Sequence, residues 1–161
     1  MVKCPRCERG VVRRSHRHGL LEHLYSVFSI FPFRCQLCTH RFLARPEGQF
    51  LRRKREYDRV PVRFPVSFES SYVGEKIRGE GTLISLSIQG CSLRTTEPVR
   101  KGALLRLQFL FRDDEAAIEI DIAVARSLHG SRLGLEFVNI RPVEEERLRR
   151  LMTHLLSGRH R

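Results

Sequence analysis

Two groups of residues in this 161-residue chain have types and spacings that could do chemistry. Cys4-Pro5-Arg6-Cys7 and Cys35-Gln36-Leu37-Cys38 each present two thiolates from one tight turn. Two such pairs complete the four-sulfur tetrahedral shell that zinc prefers. Paired disulfides are the competing reading, and the lack of a secretory signal argues against them. A redox role needs a single Cys-x-x-Cys at a strand–helix junction, a context that is missing. Protein would fill all four positions and leave none for an activated water, so the site is expected to be structural. His16, His18, His23 and His40 are also ligand types, but four cysteines already fill the shell.

The second group is the run Arg52-Arg53-Lys54-Arg55-Glu56-Tyr57-Asp58-Arg59-Val60-Pro61-Val62. Arg55 and Arg59 stand four apart where a linker becomes a strand. Guanidinium groups so placed can fork onto phosphate oxygens or onto the O6/N7 edge of a guanine. Taken alone, the run reads equally as a solvated basic linker. No nucleophile, base and acid fall into a catalytic arrangement, and His129 lies in a turn without an assignable partner. No enzyme is expected.

Charge is spread unevenly. Residues 1–59 hold 14 Lys/Arg against 5 Asp/Glu, an excess of nine, whereas residues 60–161 hold 16 against 13, an excess of three. The front third therefore favours an anionic partner such as nucleic acid, nucleotide or an acidic surface. Met1-Val2-Lys3-Cys4 runs straight into the first cysteine pair, and the longest apolar run, Leu24 to Phe33, contains two serines and a proline. A bilayer span needs roughly 20 apolar residues. No transmembrane segment is expected, and the cysteine usage suits a reducing cytoplasm.

Elements must position these groups. Between the cysteine pairs, Leu20, Leu21, Leu24, Val27, Phe28 and Phe31 recur at helical spacing, predicting an amphipathic helix that packs on its own module or a neighbouring one, with partner docking or a membrane surface as the lesser reading. Arg45-Pro46-Glu47-Gly48-Gln49 has linker composition. After it the period becomes two. Val60, Val62, Phe64, Val66 and Phe68 mark a half-buried strand whose Pro61 and Pro65 suit an edge or rim. Ile84, Leu86 and Ile88 alternate with Ser85 and Ser87. The phase then shifts at Gln89-Gly90 towards Cys91 and Leu93, as at a bulge or tight bend. Cys91 reads as a small buried hydrophobe. Leu105/Leu107/Phe109/Phe111, Ile118/Ile120/Ile122/Val124 and Leu133/Leu135/Phe137 supply three more strands, separated by turn signals. The chain closes on a helix with Pro142 near its start and Leu148, Leu151, Met152 and Leu155 as its apolar stripe.

The front segment resembles bacterial zinc ribbons, through Arg14-Ser15-His16-Arg17, Leu20-Leu21-Glu22 and Pro32-Phe33-Arg34-Cys35. From about residue 50 to 157 the chain resembles the PilZ domain family. Arg55-x-x-x-Arg59 precedes the first strand, Ser85-Leu86-Ser87-Ile88-Gln89-Gly90 follows the second, and Gly134-Leu135-Glu136-Phe137 lies further on. The resemblance implies a mainly β fold: a six-stranded antiparallel barrel with a C-terminal helix, preceded by a small zinc ribbon with a helical insert. It implies that Arg55 and Arg59 contact the guanines and phosphates of cyclic di-GMP, with Arg52 and Arg53 as secondary candidates. Ser85, Ser87 and Gly90 then match the family's Asp/Asn-x-Ser-x-x-Gly motif, in which the glycine lets ligand approach the backbone. Ser85 departs from it, since the family prefers Asp or Asn. Strand periodicity aims Ser85 and Ser87 at one outward face.

The expected organisation is a zinc ribbon over 1–45, a basic switch loop over 46–59 and a barrel with its helix over 60–161. The expected function is that of a cytoplasmic bacterial cyclic di-GMP effector with one structural zinc, held by Cys4, Cys7, Cys35 and Cys38. Ligand binding would order the basic loop and reorient the ribbon, whose surface or helical insert would meet an unknown protein partner. A nucleic-acid-binding ribbon with the barrel as scaffold is the alternative, supported by the basic front third. A ligand-free protein-interaction module is a third reading, and follows if Ser85 abolishes binding.

Overall fold

The chain divides into two units, Met1–Asp58 and Arg59–Arg161, each with a sheet of its own. The structure, a computed structural model, describes residues 2–46, 56–72, 77–111 and 116–157. In the first unit β1 (Val12–Arg14), β2 (Phe31–Cys35) and β3 (Arg41–Ala44) form an antiparallel sheet in the order β1-β2-β3. Its small core gathers Val12, Phe33 and Leu37 with three of the cysteines. Phe33 stacks on Phe42 across β2 and β3, with ring centroids 6.1 Å apart.

Helix α1 (Gly19–Val27) links β1 to β2 where the spacing predicts it, but its apolar face does not pack inwards. Leu20, Leu21, Leu24, Val27 and Phe28 are 60% to 85% exposed, and Phe31 is the first residue of β2. A polar anchor fixes the helix instead. Glu22 pairs with Arg41 through Oε1 at 2.6 Å and accepts a hydrogen bond at Oε2 from the same guanidinium at 2.7 Å. Its Oε2 also accepts the His18 amide at 2.6 Å. The Arg41 guanidinium holds the Glu22 carboxyl down to about 2. Its stabilising effect is thus complete above the ordinary carboxylate range and is lost as pH falls through 2.

Glu56, Tyr57 and Asp58, read from sequence as linker, hydrogen-bond to the first unit. Arg13 Nε donates to Asp58 Oδ2 at 2.7 Å, and Ser15 Oγ donates to Glu56 Oε1 at 3.1 Å. Gln36 bonds both ways: Nε2 donates to the Glu56 carbonyl at 3.0 Å, and Oε1 accepts from the Asp58 amide at 2.7 Å. Arg34 donates to the Tyr57 hydroxyl at 3.2 Å.

The second unit is a closed antiparallel barrel of β4 (Val60–Ser70), β5 (Arg78–Ser87), β6 (Gly90–Arg94), β7 (Leu104–Phe109), β8 (Ile118–His129) and β9 (Arg132–Asn139). The strands run in the order β4-β5-β6-β9-β8-β7. The fold is therefore the mainly β one the sequence predicts. Leu83, Leu86, Leu93, Leu105, Leu107, Phe109 and Ile120 are fully enclosed, and Cys91 sits among them as expected. Pro61 and Pro65 fall where β4 pairs with β5 alone, because pairing with β7 begins at Val66. Proline has no backbone N–H to donate and is tolerated at such singly paired positions.

Two stretches break the expected alternation. In β8 the register against β9 slips between Ile122 and Ala123, so Ala123 and Ala125 enter the core and Ile122 and Val124 are only half-buried. The phase change predicted at Gln89-Gly90 is a two-residue turn, Ile88–Gln89, with Ser87 paired to Gly90. The nearby register shift lies earlier, between Leu83 and Ser85. Helix α2 (Pro142–Ser157) buries Leu148, Leu151, Met152 and Leu156, whereas Leu155 is half-buried. Its first turn is tied to the start of β8, where Glu144 accepts the Glu119 amide at 3.1 Å and Arg147 donates to the Ala117 carbonyl at 2.8 Å.

Candidate functional site

The two cysteine turns share one local geometry. The amide of each leading cysteine donates to the carbonyl five residues on, Cys4 to Arg9 at 3.0 Å and Cys35 to His40 at 2.9 Å. The residue after each second cysteine takes a left-handed backbone, Glu8 at φ 56° and Thr39 at φ 60°. A side chain at such a φ carries a steric cost of about 1–3 kcal/mol, tolerated where function holds the turn. The reversal lets amides point at sulfur: Leu37 and Cys38 donate to Cys35 Sγ at 3.4 and 3.5 Å.

The four sulfurs lie within 4.8 Å of one another. Cys4 and Cys38 approach to 3.5 Å, and Cys7 and Cys35 to 3.6 Å. Both distances are far beyond the S–S bond of about 2.05 Å, and all four thiols are free. A tetrahedral ion with bonds of about 2.3 Å separates its sulfurs by about 3.8 Å. The cluster therefore fits a zinc-sized ion, with Cys4, Cys7, Cys35 and Cys38 as its ligands. Burial pushes the Cys35 thiol up to about 12 and raises Cys38 as well. Burial would also raise Cys4, but amide donors of Cys7 and Arg6 outweigh it and bring that thiol down. Among the described residues, the histidines near this cluster belong to no group of potential metal ligands.

On the barrel, Arg59 comes just before β4, and its guanidinium reaches β6 at Ser92, a buried polar residue that is 6% exposed. Its NH1 donates to Ser92 Oγ at 2.8 Å. Ser92 faces Ser85 across the β5–β6 ladder, and Ser85 faces Pro61 on β4. Ser85 is half-exposed. Ser87 differs from expectation: it is 4% exposed, and its Oγ donates to the Gly90 carbonyl at 2.9 Å, closing the turn. The core partners of these serines are Leu83, Leu86 and Ile88, because the register shift moves Ile84 to a half-buried place. Arg52, Arg53 and Arg55 lie outside the described residues.

Gly90 has a packing reason of its own. A Cβ there would meet the Leu135 carbonyl oxygen at 2.4 Å, because β6 and β9 run close at this point. Gly90→Ala should lower barrel stability by about 1–3 kcal/mol, since backbone has to move to admit it. Urea unfolding followed by circular dichroism checks this, and an unchanged midpoint would show that the β6–β9 spacing yields freely.

A family model, PilZ domain, matches residues 53–154, the stretch that holds the barrel and most of its trailing helix. The chain belongs to the PilZ domain family. No curated protein sequence matches it. Solved structures share the fold at low identity. The PilZ domain of CeSA from a cellulose-synthesizing bacterium is 18% identical with a TM-score of 0.51, covering 61% of this chain and 97% of that one. The Bacillus subtilis inhibitor of motility MotI/DgrA is 17% identical with a TM-score of 0.54, covering 82% and 75%. Escherichia coli YcgR in complex with c-di-GMP is 15% identical with a TM-score of 0.55, covering 81% and 66%. PilZ membership agrees with the expectation that the chain is not an enzyme. No described helix is long and apolar enough to cross a membrane.

Sequence reasoning missed Ser92, which the ladder register places against Ser85 and the Arg59 guanidinium. The available signal was its outward parity between the core residues Cys91 and Leu93. It also missed Glu56–Asp58 as part of the first unit. Their partners, Arg13, Arg34 and Gln36, lie 20 to 45 positions away along the chain.

Proposed function

We propose that this PilZ protein is a cytoplasmic cyclic di-GMP effector in which Arg55 and Arg59 clasp the nucleotide over the Ser85–Ser92 face. A zinc ion held by the four cysteines keeps the first unit folded as an adaptor. The observation that carries the reading is the Arg59–Ser92 hydrogen bond, which holds one motif arginine at the cross-strand partner of Ser85. A guanidinium already oriented loses less rotamer freedom when a phosphate or guanine edge arrives. Binding fixes the Arg52–Arg59 segment and reorients the ribbon. The anchoring of Glu56–Asp58 to ribbon residues supports that step, since Asp58 is joined directly to Arg59.

The nucleic-acid alternative loses ground on the side chains themselves. Arg13 is paired with Asp58, Arg34 with Glu56 and Arg41 with Glu22, so three of the ribbon's cations are already engaged. Calorimetry with cyclic di-GMP, run beside a mobility shift with generic DNA, is the test. Saturable heat with the cyclic dinucleotide and no shift at physiological salt is the expected pair of results. A shift without heat would overturn the reading.

Position 85 gives a sharper measurement. Guanine offers N1–H and N2–H donors, which a carboxylate accepts together and a serine hydroxyl accepts less well. A neutral hydrogen bond contributes about 0.5–1.5 kcal/mol and one to a charged group about 1.5–3. Ser85→Asp should therefore tighten cyclic di-GMP about tenfold. Ser85→Asn, which adds an acceptor without charge, should give a smaller gain. Flat or weakened affinity in both would show that position 85 meets no guanine.

A further inference from the structure

Helix α1 is built inside out. Its polar residue Glu22 turns onto the ribbon and is gripped by Arg41 and the His18 amide. Its apolar residues turn to solvent: Leu20 is 85% exposed, Val27 78% and Phe28 65%. At 100° per residue, Val27, Leu20, Leu24, Phe28, Leu21 and Tyr25 fall in sequence around an arc of roughly 160°. A contiguous exposed patch of this kind marks an interaction surface.

Three arginines gather where the helix runs on into β2. Arg45 donates to the Phe28 carbonyl at 3.1 Å, just past the helix. Arg14 sits 3.7 Å over the Phe31 ring and Arg17 lies 5.7 Å from it. We infer that the exposed face of α1, with the arginines beside its C-terminal end, docks in the interface of an anionic lipid bilayer. The arc enters the headgroup–acyl boundary, and Arg14, Arg17 and Arg45 remain at the level of the lipid phosphates.

Charge and hydrogen bonding select this occupant. The described residues of the first unit hold nine Lys/Arg against four Asp/Glu, so two copies meeting face to face would repel. A protein groove is recognised with about one hydrogen bond per 100–200 Å². This helix instead satisfies its polar groups internally. Ser26 Oγ donates to the His23 carbonyl at 2.6 Å, His23 Nδ1 lies 2.9 Å from the Gly19 carbonyl, and Glu22 is paired with Arg41. Such closure suits a solvent that offers no partners. Tyr25, 42% exposed at one edge of the arc, presents an apolar ring with a polar tip suited to the headgroup layer.

The inference stands apart from the cyclic di-GMP reading, so its test omits nucleotide. The full-length protein is floated with vesicles of phosphatidylcholine alone and with vesicles containing equal parts of phosphatidylglycerol, at low and high salt. Flotation with the anionic vesicles, weakened by salt and absent with neutral ones, is expected. The variant Leu20→Ser/Leu24→Ser should reduce partition at least tenfold without changing the circular dichroism spectrum. No flotation with anionic vesicles overturns the inference. So does flotation unchanged in the variant, which would assign binding to the arginines alone. Equal binding to neutral vesicles, or a dimer that the variant dissolves in the absence of lipid binding, overturns it too.

Discussion

Replacing Cys35 by serine should strip the cysteine cluster of its metal and unfold the first unit while the barrel stays intact. Apparent binding energies for structural zinc are about 10–16 kcal/mol near neutral pH, and in such modules that energy is the folding energy. The sheet β1-β2-β3 has few residues to bury without it. The barrel shares no ligand with the site, and its core is closed by its own strands. Metal analysis should find one zinc per chain in the wild type and none in Cys35→Ser. Hydrogen exchange should rise over 2–46 and stay unchanged over β4 to β9. Freshly purified reduced wild type without zinc would refute this. In the metal-loaded form the thiols are deprotonated, so acid competes with the ion and stability falls as pH drops.

Arg55→Ala and Arg59→Ala should each weaken cyclic di-GMP at least tenfold, which corresponds to about 1.4 kcal/mol. Each substitution removes a charge-assisted fork and leaves the barrel core untouched. Ser92→Ala separates the charge of Arg59 from its orientation. It keeps the guanidinium but deletes the acceptor that holds it at 2.8 Å, so a loss of a few-fold is expected, smaller than for Arg59→Ala. Calorimetry on the single variants and on Arg55→Ala/Arg59→Ala reads all three effects. Wild-type affinity retained in the double variant would remove the site.

Much of this architecture is legible from residues alone, because one-strand alternation and Cys-x-x-Cys spacing are local. Six strands, the trailing helix and the grouping of Cys4, Cys7, Cys35 and Cys38 all follow from patterns a few residues long. The departures have non-local causes. Ile122 and Val124 read as core until the slip against β9 hands those places to Ala123 and Ala125. A bulge is a mismatch between two strands, so one strand cannot reveal its position. Helix α1 is predicted correctly as a helix, yet its facing depends on Arg41, which lies 19 residues from Glu22. Ser92 likewise becomes visible only when β5 and β6 are laid in register.

Cys91 gives the barrel an internal clock. It is fully enclosed, and burial raises its thiol to about 12, so in the closed barrel it is both unreachable and protonated. Thiol reagents act on exposed thiolate, so alkylation of Cys91 requires the barrel to open. With the other four thiols engaged by metal, the slow loss of one free thiol would report how often β5, β6 and β9 part. A ligand that binds only the closed barrel slows that loss by the factor one plus its concentration over Kd. The fifth cysteine thus offers to read the proposed nucleotide binding as a reaction rate, without a label or an engineered reporter.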